Sequence, residues 1–363
     1  MTVAISGSAQ ATEAAQLIVA WRDGQSARQS AISDHRRADG AAVDNCSSGI
    51  CEPIRATDRS YSLWLELEYR CNLDCLFCYN PWRATKSPEP GRQLISSETM
   101  TAFVEQVMSI LPVHHVTLSG GEPLLQPGIF QIARASKDAG ATVSITTNGR
   151  SGTRARVAKL AQAGVSHIAV PVHSHRGEVH DALAAGPSWH GAVTTLALGR
   201  EFGFSTTVSC VITRKNVHDI GGVCDIVEWL GADRFVLNRF HAVGQGIHNA
   251  SELDISAGMF HAAVEKARRR LGSSLPVEVG SPGPQEPNEK GSKGATVPRR
   301  ATVDRIAVSP FGDVKFCNQS VQGVLDITSA SHDEISALLE HLACGNHEEL
   351  LERVDNCTCL GTL

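Results

Sequence analysis

The sequence lacks several features by which other classes of protein are recognised. Aromatic residues make up only 5% of the 363 residues, which is too few for a surface that stacks nucleic-acid bases. The 33 basic and 38 acidic residues give a net charge of −5 and form no long run of one sign, so we expect no nucleic-acid partner. No stretch of about 18 uninterrupted apolar residues is present, so we expect no membrane span.

We also expect no export, because the sequence as given does not open with a basic segment followed by an apolar core. The chain nevertheless contains 11 cysteines. In a protein that is not exported, cysteines are expected to remain reduced and to act as thiolate ligands rather than to form disulfides. We therefore predict a cytoplasmic protein whose cysteines bind metal.

Three cysteines lie close together, directly after a segment that resembles a strand. Cys71, Cys75 and Cys78 have the spacing C-x3-C-x2-C. Three thiolates on one loop can hold three corners of a cubane iron–sulfur cluster, which leaves the fourth iron without a protein ligand. An open coordination position on a metal is a place for chemistry. The alternative is a zinc site that lacks its fourth ligand, since no further Cys or His lies nearby.

Short apolar segments alternate with helix-like segments from Ser62 onward. Strands are predicted at Leu63–Leu67, His115–Leu118, Thr142–Thr146, His167–Val172, Thr206–Ile212 and Arg234–Leu237. Helices are predicted at Ser97–Leu111, Gly128–Ala139, Arg154–Ala163, Trp189–Phe202 and Gly221–Leu230. The alternation predicts an α/β fold with a parallel sheet that is curved into a partial or complete barrel. In such barrels the chemistry lies at the C-terminal ends of the strands, which is where the cysteine loop falls.

We predict four parts along the chain from changes in composition. They are residues 1–57, an N-terminal extension; residues 58–245, the barrel; residues 246–300, a helix and a Pro- and Gly-rich linker; and residues 301–363, a small C-terminal α+β module. The elements predicted in the last two parts are a helix at Asp254–Leu271, a hairpin at Val303–Val308 and Val314–Cys317, and a helix at His332–Ala343.

Two further motifs end predicted strands. Gly120-Gly121-Glu122-Pro123 follows the second strand, and Thr146-Thr147-Asn148-Gly149 ends the third. Two glycines let the backbone approach a ligand closely, and a carboxylate can receive an ammonium group. Each motif alone would be an ordinary turn. At the ends of successive strands beside the cysteine loop, they indicate one ligand site.

Together these motifs resemble those of the radical S-adenosylmethionine (SAM) superfamily, over about residues 60–240. The resemblance implies a partial (β/α)6 radical SAM barrel in which Cys71, Cys75 and Cys78 hold a [4Fe–4S] cluster and SAM binds the open iron. It implies reductive cleavage of SAM to methionine and a 5′-deoxyadenosyl radical, which abstracts a hydrogen atom from the substrate. A flavodoxin- or ferredoxin-type reductant is implied as the electron donor.

The same resemblance assigns residues to SAM. It places Phe77 near the adenine, the backbone of Tyr79 where adenine is read, Gly120, Gly121 and Glu122 at the amino group, and Asn148 near the methionyl and ribose groups. Ser209 or Arg214, around the end of the fifth strand, is expected to reach the ribose or the carboxylate.

Histidines follow the fourth strand, at His173, His175 and His180. Three histidines at a barrel mouth suggest a metal site or proton transfer. The alternative is structural, because the segment resembles a common one of the family in which a His-Asp pair, here His180-Asp181, opens a helix. His173 and His175 could then still touch the substrate.

The C-terminal module resembles the SPASM/twitch subgroup, whose extension carries auxiliary iron–sulfur clusters. The segment from Gly312 to Cys317 fits the subgroup's hairpin motif G-x4-C. The cysteine expected ahead of this hairpin is absent, and Cys357-Thr358-Cys359 departs from the usual C-x2-C spacing. We expect one auxiliary cluster held by Cys317, Cys344, Cys357 and Cys359; the alternative is a twitch-like cap without a cluster.

The function expected from these features is that of a radical SAM oxidoreductase or epimerase acting on a small natural product, such as a sugar or an aminocyclitol. Residues 1–57 are too short and polar for the winged-helix domain that grips leader peptides, which favours a small molecule. The alternative is a maturase that crosslinks or epimerises a ribosomally made peptide. A second alternative is a non-catalytic iron–sulfur scaffold for electron transfer, although such a scaffold has no need of the SAM motifs.

Overall fold

The computed structural model describes residues 60–80, 92–281, 304–316 and 323–344, and a ten-stranded sheet organises these ranges. Its strands are β1 (Tyr61–Glu66), β2 (Val113–Ser119), β3 (Thr142–Thr146), β4 (Val165–Pro171), β5 (Ser205–Ile212), β6 (Arg234–Arg239), β7 (Val277–Ser281), β8 (Arg305–Val308), β9 (Asp313–Lys315) and β10 (Leu325–Asp326). The order is β10-β9-β8-β1-β2-β3-β4-β5-β6-β7. The pairs from β8 through β1 to β7 are parallel, and β9 and β10 are antiparallel to their neighbours.

Helices lie between the parallel strands, and a further helix follows β10. They are α1 (Ser97–Ile110), α2 (Ile129–Asp138), α3 (Arg154–Gln162), α4 (Gly177–Ala184), α5 (Trp189–Glu201), α6 (Ile220–Leu230), α7 (Ala250–Leu253), α8 (Ala257–Leu271) and α9 (His332–Cys344). Ser96, Thr153 and Ser256 precede α1, α3 and α8, and each side chain accepts a hydrogen bond from a backbone N–H of the first turn. Across the described ranges, every helix falls short of the length and apolarity that a membrane crossing needs.

The two faces of β1 differ in chemistry. Tyr61 donates from Oη to the carbonyl of Leu342 in α9 at 2.7 Å, so Tyr61 and the alternate residues Leu63 and Leu65 face the helices. All three are buried in the apolar core. Ser62, Trp64 and Glu66 therefore lie on the opposite face of the sheet, which we call the lumen face.

The parallel α/β architecture is the one predicted from the sequence, and all six predicted strands are present as β1–β6. The predicted helices are present within three residues at each end. Four elements were not predicted: the short helices α4 and α7, and the strands β7 and β10. The predicted hairpin exists as β8 and β9, and β8 pairs with β1, so this hairpin continues the barrel sheet.

Several sequence predictions lie wholly or partly outside the described residues. Residues 1–57, most of the linker, Cys317, Cys357 and Cys359 are among them. Cys344 is the last residue of α9. The auxiliary cluster, the twitch-like cap and the four domain boundaries therefore stay predictions.

Candidate functional site

The cysteine loop is attached by its first residues to the turn that follows β2. Leu67 donates from its backbone N–H to Ser119 O at 2.9 Å, which continues the β1–β2 pairing. Gly121 donates to Glu68 O at 2.6 Å, and Glu122 donates to Arg70 O at 2.9 Å. The Gly-Gly-Glu turn and the start of the cysteine loop are therefore one hydrogen-bonded unit.

The two glycines of this turn are required by close backbone packing. A β-carbon on Gly120 would lie 2.5 Å from Glu68 O, and Gly120 has a φ of +133°, which disfavours other residues. A β-carbon on Gly121 would lie 2.7 Å from Tyr69 O and closer still to Arg70 O. Only glycine permits this approach of the two strand ends.

Glu122 ties the end of β2 to the end of β3. Its side chain is fully buried and accepts hydrogen bonds from Thr147 Oγ1 at 2.6 Å, Asn148 N at 2.9 Å and Leu124 N at 3.1 Å. Burial raises the pKa of Glu122, and the three hydrogen bonds oppose that rise. The contact of this carboxylate with a ligand ammonium stays a prediction, and the structure shows that the carboxylate orders the strand ends.

Asn148 joins the end of β3 to the cysteine loop. Its side-chain Nδ2 donates to Asn72 Oδ1 at 2.8 Å and lies 3.5 Å from Cys71 Sγ. Its Oδ1 accepts from the backbone N–H of Arg150 at 2.9 Å, which fixes the orientation of the amide. Asn148 is thus brought to the first cysteine, where an N–H donor stabilises a thiolate.

A loop after β6 packs on the other end of the cysteine loop. Gln245 donates from its backbone N–H to Cys78 O at 2.8 Å, and Asn249 donates from Nδ2 to Leu76 O at 2.9 Å. A β-carbon on Gly244 would lie 2.5 Å from Tyr79 O. No role for this loop was predicted from the sequence, and its Gly-Gln-Gly run was the available signal.

The histidines after β4 do not form a common site. His173 is buried, contacts the ring of Phe77 edge-on at 4.6 Å between centroids, and stacks on His180 at 5.2 Å. Burial lowers the pKa of His173 and lowers that of His180 to about 4, so both rings are neutral. The ring of His175 packs against Gly222 in α6. The structure brings His173 to the cysteine loop, through Phe77.

Asp181 has the structural role that was one of the two expectations. Its Oδ1 accepts hydrogen bonds from the backbone N–H groups of Ser188 at 2.9 Å and Trp189 at 2.8 Å, at the start of α5. The neighbouring His180 bonds Ser188 Oγ through Nε2 at 3.0 Å. The pair therefore fastens α4 to α5.

Ser209 and Arg214 occupy different surroundings. Ser209 lies on β5 opposite Pro171 and is half-buried. The exposed side chain of Arg214 donates through Nε to Asp254 O at 3.2 Å, on the segment ahead of α8. Of the two, Ser209 has the better position for contact with a ligand in the barrel.

The three cysteines fit an iron–sulfur cluster better than a single ion. In the described ranges, no three His, Cys, Asp or Glu side chains converge as the ligands of one metal ion would. Zinc needs four donors at about 2.0–2.3 Å from one point. A cubane takes one thiolate per iron, so three half-buried cysteines spread along one loop suit it.

Known proteins share the part of the chain that contains these strand ends. Residues 66–227 match the model of the radical SAM superfamily. The chain is 32% identical over 183 residues to an AdoMet-dependent heme synthase of Methanosarcina barkeri, which covers 50% of this chain and 51% of that protein. It is 27% identical over 219 residues to a PqqA peptide cyclase of Rhodopseudomonas palustris, covering 59% and 56%. The chain thus spans about half the length of these curated relatives.

Solved structures share the fold. SuiB of Streptococcus suis bound to its precursor peptide SuiA superposes with a TM-score of 0.61 at 15% identity, over 83% of this chain and 69% of that one. The anSMEcpe structure with AdoMet and the Kp18Cys peptide gives a TM-score of 0.58 at 13% identity, over 78% and 82%. At these identities the likeness is one of architecture.

Proposed function

Because residues 66–227 form a radical SAM domain, we propose that this chain is an enzyme that modifies a peptide by abstracting a hydrogen atom from it. The family uses a [4Fe–4S] cluster and SAM, which together supply a 5′-deoxyadenosyl radical. The observation that carries the proposal is the junction of three strand ends: the cysteine loop bonds to the Gly-Gly-Glu turn and lies 3.5 Å from the Asn148 amide.

Each part of the site has a proposed task. Cys71, Cys75 and Cys78 hold the cluster, and Asn148 donates toward the first thiolate. Gly120 and Gly121 let the main chain approach the methionyl end of SAM, with the buried Glu122 below it. These positions orient the cofactor so that the abstracted hydrogen lies beside the reacting carbon.

The adenine end of SAM is assigned to the last part of the cysteine loop. The Tyr79 backbone reads the adenine there, and Phe77 packs beside it. His173 supports Phe77 from behind, and the loop that contains Gln245 holds the Cys78 carbonyl. Ser209 lines the barrel below the ribose.

The peptide is preferred to the small molecule that the N-terminal composition suggested. Several relatives are named PqqA peptide cyclase, and one protein of similar fold has been solved in complex with its precursor peptide. Another relative is a heme synthase and not a peptide cyclase, so the substrate class is tested directly below. We propose a crosslink or an epimerisation as the outcome, with a flavodoxin- or ferredoxin-type protein as reductant.

The first experiment is anaerobic reconstitution with iron and sulfide, reduction with dithionite, and measurement of 5′-deoxyadenosine after SAM is added. We expect cleavage by the native protein and none by the variant in which Cys71, Cys75 and Cys78 are alanine. Iron remaining in that variant would indicate an auxiliary cluster. A loaded protein that does not cleave SAM would instead be the electron-transfer scaffold.

The substrate class is tested with the same preparation. Synthetic copies of short peptides encoded beside the gene are compared with sugars and aminocyclitols, and each product is analysed by mass spectrometry. A mass change in a peptide, together with deoxyadenosine above the level without substrate, supports the proposal. A changed sugar with unchanged peptides contradicts it.

A further inference from the structure

Within the part of the chain that the structure describes, the lumen face of β1 carries two buried polar atoms without a hydrogen-bond partner, Trp64 Nε1 and Glu66 Oε1. The residues are two apart on one strand, so both side chains project from the same face, with Cα atoms about 6.5–7 Å apart. One atom is a donor and the other an acceptor. Buried polar atoms are rarely left unpaired, so these two call for an explanation.

A cation from the C-terminal hairpin completes this patch. Lys315 in β9 pairs with Ala307 in β8, which pairs with Trp64 in β1, so Lys315 projects from the same face. Its Nζ lies 2.9 Å from Glu66 Oε2, and the two side chains are 2% and 0% exposed. Lys315 therefore donates to one carboxylate oxygen of Glu66, and the other oxygen has no hydrogen-bond donor among the described residues.

The surrounding lumen face is polar, unlike the Val-, Ile- and Leu-rich filling of a packed barrel. By strand register it includes Thr117, Ser119, Ser144, His167, Thr207 and Ser209. Ser144 donates to Thr117 Oγ1 at 3.1 Å, and His167 bonds Thr207 Oγ1 at 2.8 Å. Four of these neighbours are thus hydrogen-bonded in pairs, unlike Trp64 Nε1 and Glu66 Oε1.

Resting on the proposed function, we propose that Trp64, Glu66 and Lys315 form a subsite that binds the backbone of the peptide substrate. Glu66 Oε1 accepts an amide N–H, Trp64 Nε1 donates to an amide carbonyl, and Lys315 holds the carboxylate in place. An extended peptide offers both groups at the spacing of two strand residues. Burial also raises the pKa of Glu66 to about 7, which a hydrogen bond from substrate would counteract.

The first test is Trp64→Phe, which removes the N–H and keeps an aromatic ring and the ion pair. The reconstituted enzyme is assayed with SAM and a synthetic copy of the peptide encoded beside the gene. We expect KM for this peptide to rise about 3- to 10-fold with a smaller change in kcat, as the loss of one hydrogen bond predicts. Trp229→Phe, in α6, is the matched control and is expected to leave KM unchanged.

The second test uses backbone N-methylation at successive positions of the same peptide. With the native enzyme, methylation at one position removes the N–H that Glu66 accepts and raises KM. We expect that penalty to disappear in the double variant Glu66→Met/Lys315→Met, which removes both charges together so that neither is left buried alone.

The outcomes separate the subsite from the proposed function. A native enzyme that forms no deoxyadenosine, or that changes only sugars, overturns the proposed function and the subsite with it. Normal peptide turnover with an unchanged KM in Trp64→Phe overturns the subsite alone. A methylation penalty that persists in the double variant also overturns the role of Glu66.

Discussion

Replacing Gly121 by alanine tests whether close packing of the Gly-Gly-Glu turn against the cysteine loop requires a glycine. The substitution adds one methyl group and changes no charge or side-chain hydrogen bond. The added methyl group would lie 2.7 Å from Tyr69 O and closer to Arg70 O, and both are backbone atoms that cannot turn aside. Gly121 does not have a positive φ, so backbone strain at this residue contributes nothing. The expected effect is therefore displacement of the cysteine loop from the end of β2.

The magnitude follows from the contacts that must change. Forcing an extra methyl group into a packed position costs about 1–3 kcal/mol. Moving the loop also breaks at least one of the bonds Gly121 N to Glu68 O and Glu122 N to Arg70 O, which adds about 1 kcal/mol. We expect the free energy of unfolding to fall by about 2–4 kcal/mol.

The assay is urea unfolding of the anaerobic protein, with SAM binding measured on the same samples. Gly258→Ala is the matched control, because its β-carbon would have no neighbour closer than 3.9 Å and the residue lies in α8. That control should be neutral or slightly stabilising. Equal stability and equal SAM binding for Gly121→Ala and the native protein would refute the argument that close packing requires this glycine.

Three further predictions concern charges and hydrogen bonds of the site. Glu122→Ala leaves two buried donors and one partly buried donor without their acceptor and should lower the free energy of unfolding by about 3 kcal/mol or more, measured in urea. Asn148→Ala removes an N–H near Cys71 Sγ, so the cluster should have a more negative reduction potential in an EPR-monitored titration. Burial raises the pKa of Glu66 from 4.5 to about 7 against the pull of Lys315, so the folded form holds a proton that the unfolded chain has lost. Stability should therefore fall as pH rises from about 4.5 to about 7, and Glu66→Gln should flatten that slope in urea unfolding.

Each of these has a result that would contradict it. Glu105→Gln, on the exposed side of α1, is the control for the pH series. If stability depends on pH equally in Glu66→Gln and in this control, Glu66 is not the cause of the dependence. Native-like stability of Glu122→Ala would mean that its three donors find other acceptors. A cluster potential that does not move in Asn148→Ala would place its amide too far from the thiolate to matter.

The six barrel strands could be predicted because each is a short apolar run between turn or helix signals. The motif residues could be predicted because their spacing is local: Cys71 to Cys78 lie on one loop, and the two glycines are adjacent. Helix α4 was missed because it is short and contains His180 and Asp181, whose bonds to the start of α5 are tertiary. Strand β7 was missed because its exposed sequence is held by backbone pairing with β6.

The contacts that hold the site residues in place could not be predicted, because they join residues that are far apart in the sequence. Glu66 and Lys315 are 249 residues apart, and nothing local in either segment indicates a partner of opposite charge. Phe77 lies on the loop after β1 and His173 on the loop after β4, so their contact depends on the curvature of the sheet between these strands. The sequence therefore indicates which motif residues lie together at the strand ends better than it indicates which distant residues support them.

The pairing of β1 with β8 has a consequence for how the protein is made. The two strands begin 244 residues apart (305 − 61), so at about 5–20 residues per second the ribosome delivers β8 about 12–50 s after β1. During that interval one edge of β1 has no partner, and an open strand edge invites pairing with other nascent chains. Losses to inclusion bodies should therefore depend on temperature and elongation rate as well as on the supply of iron and sulfide.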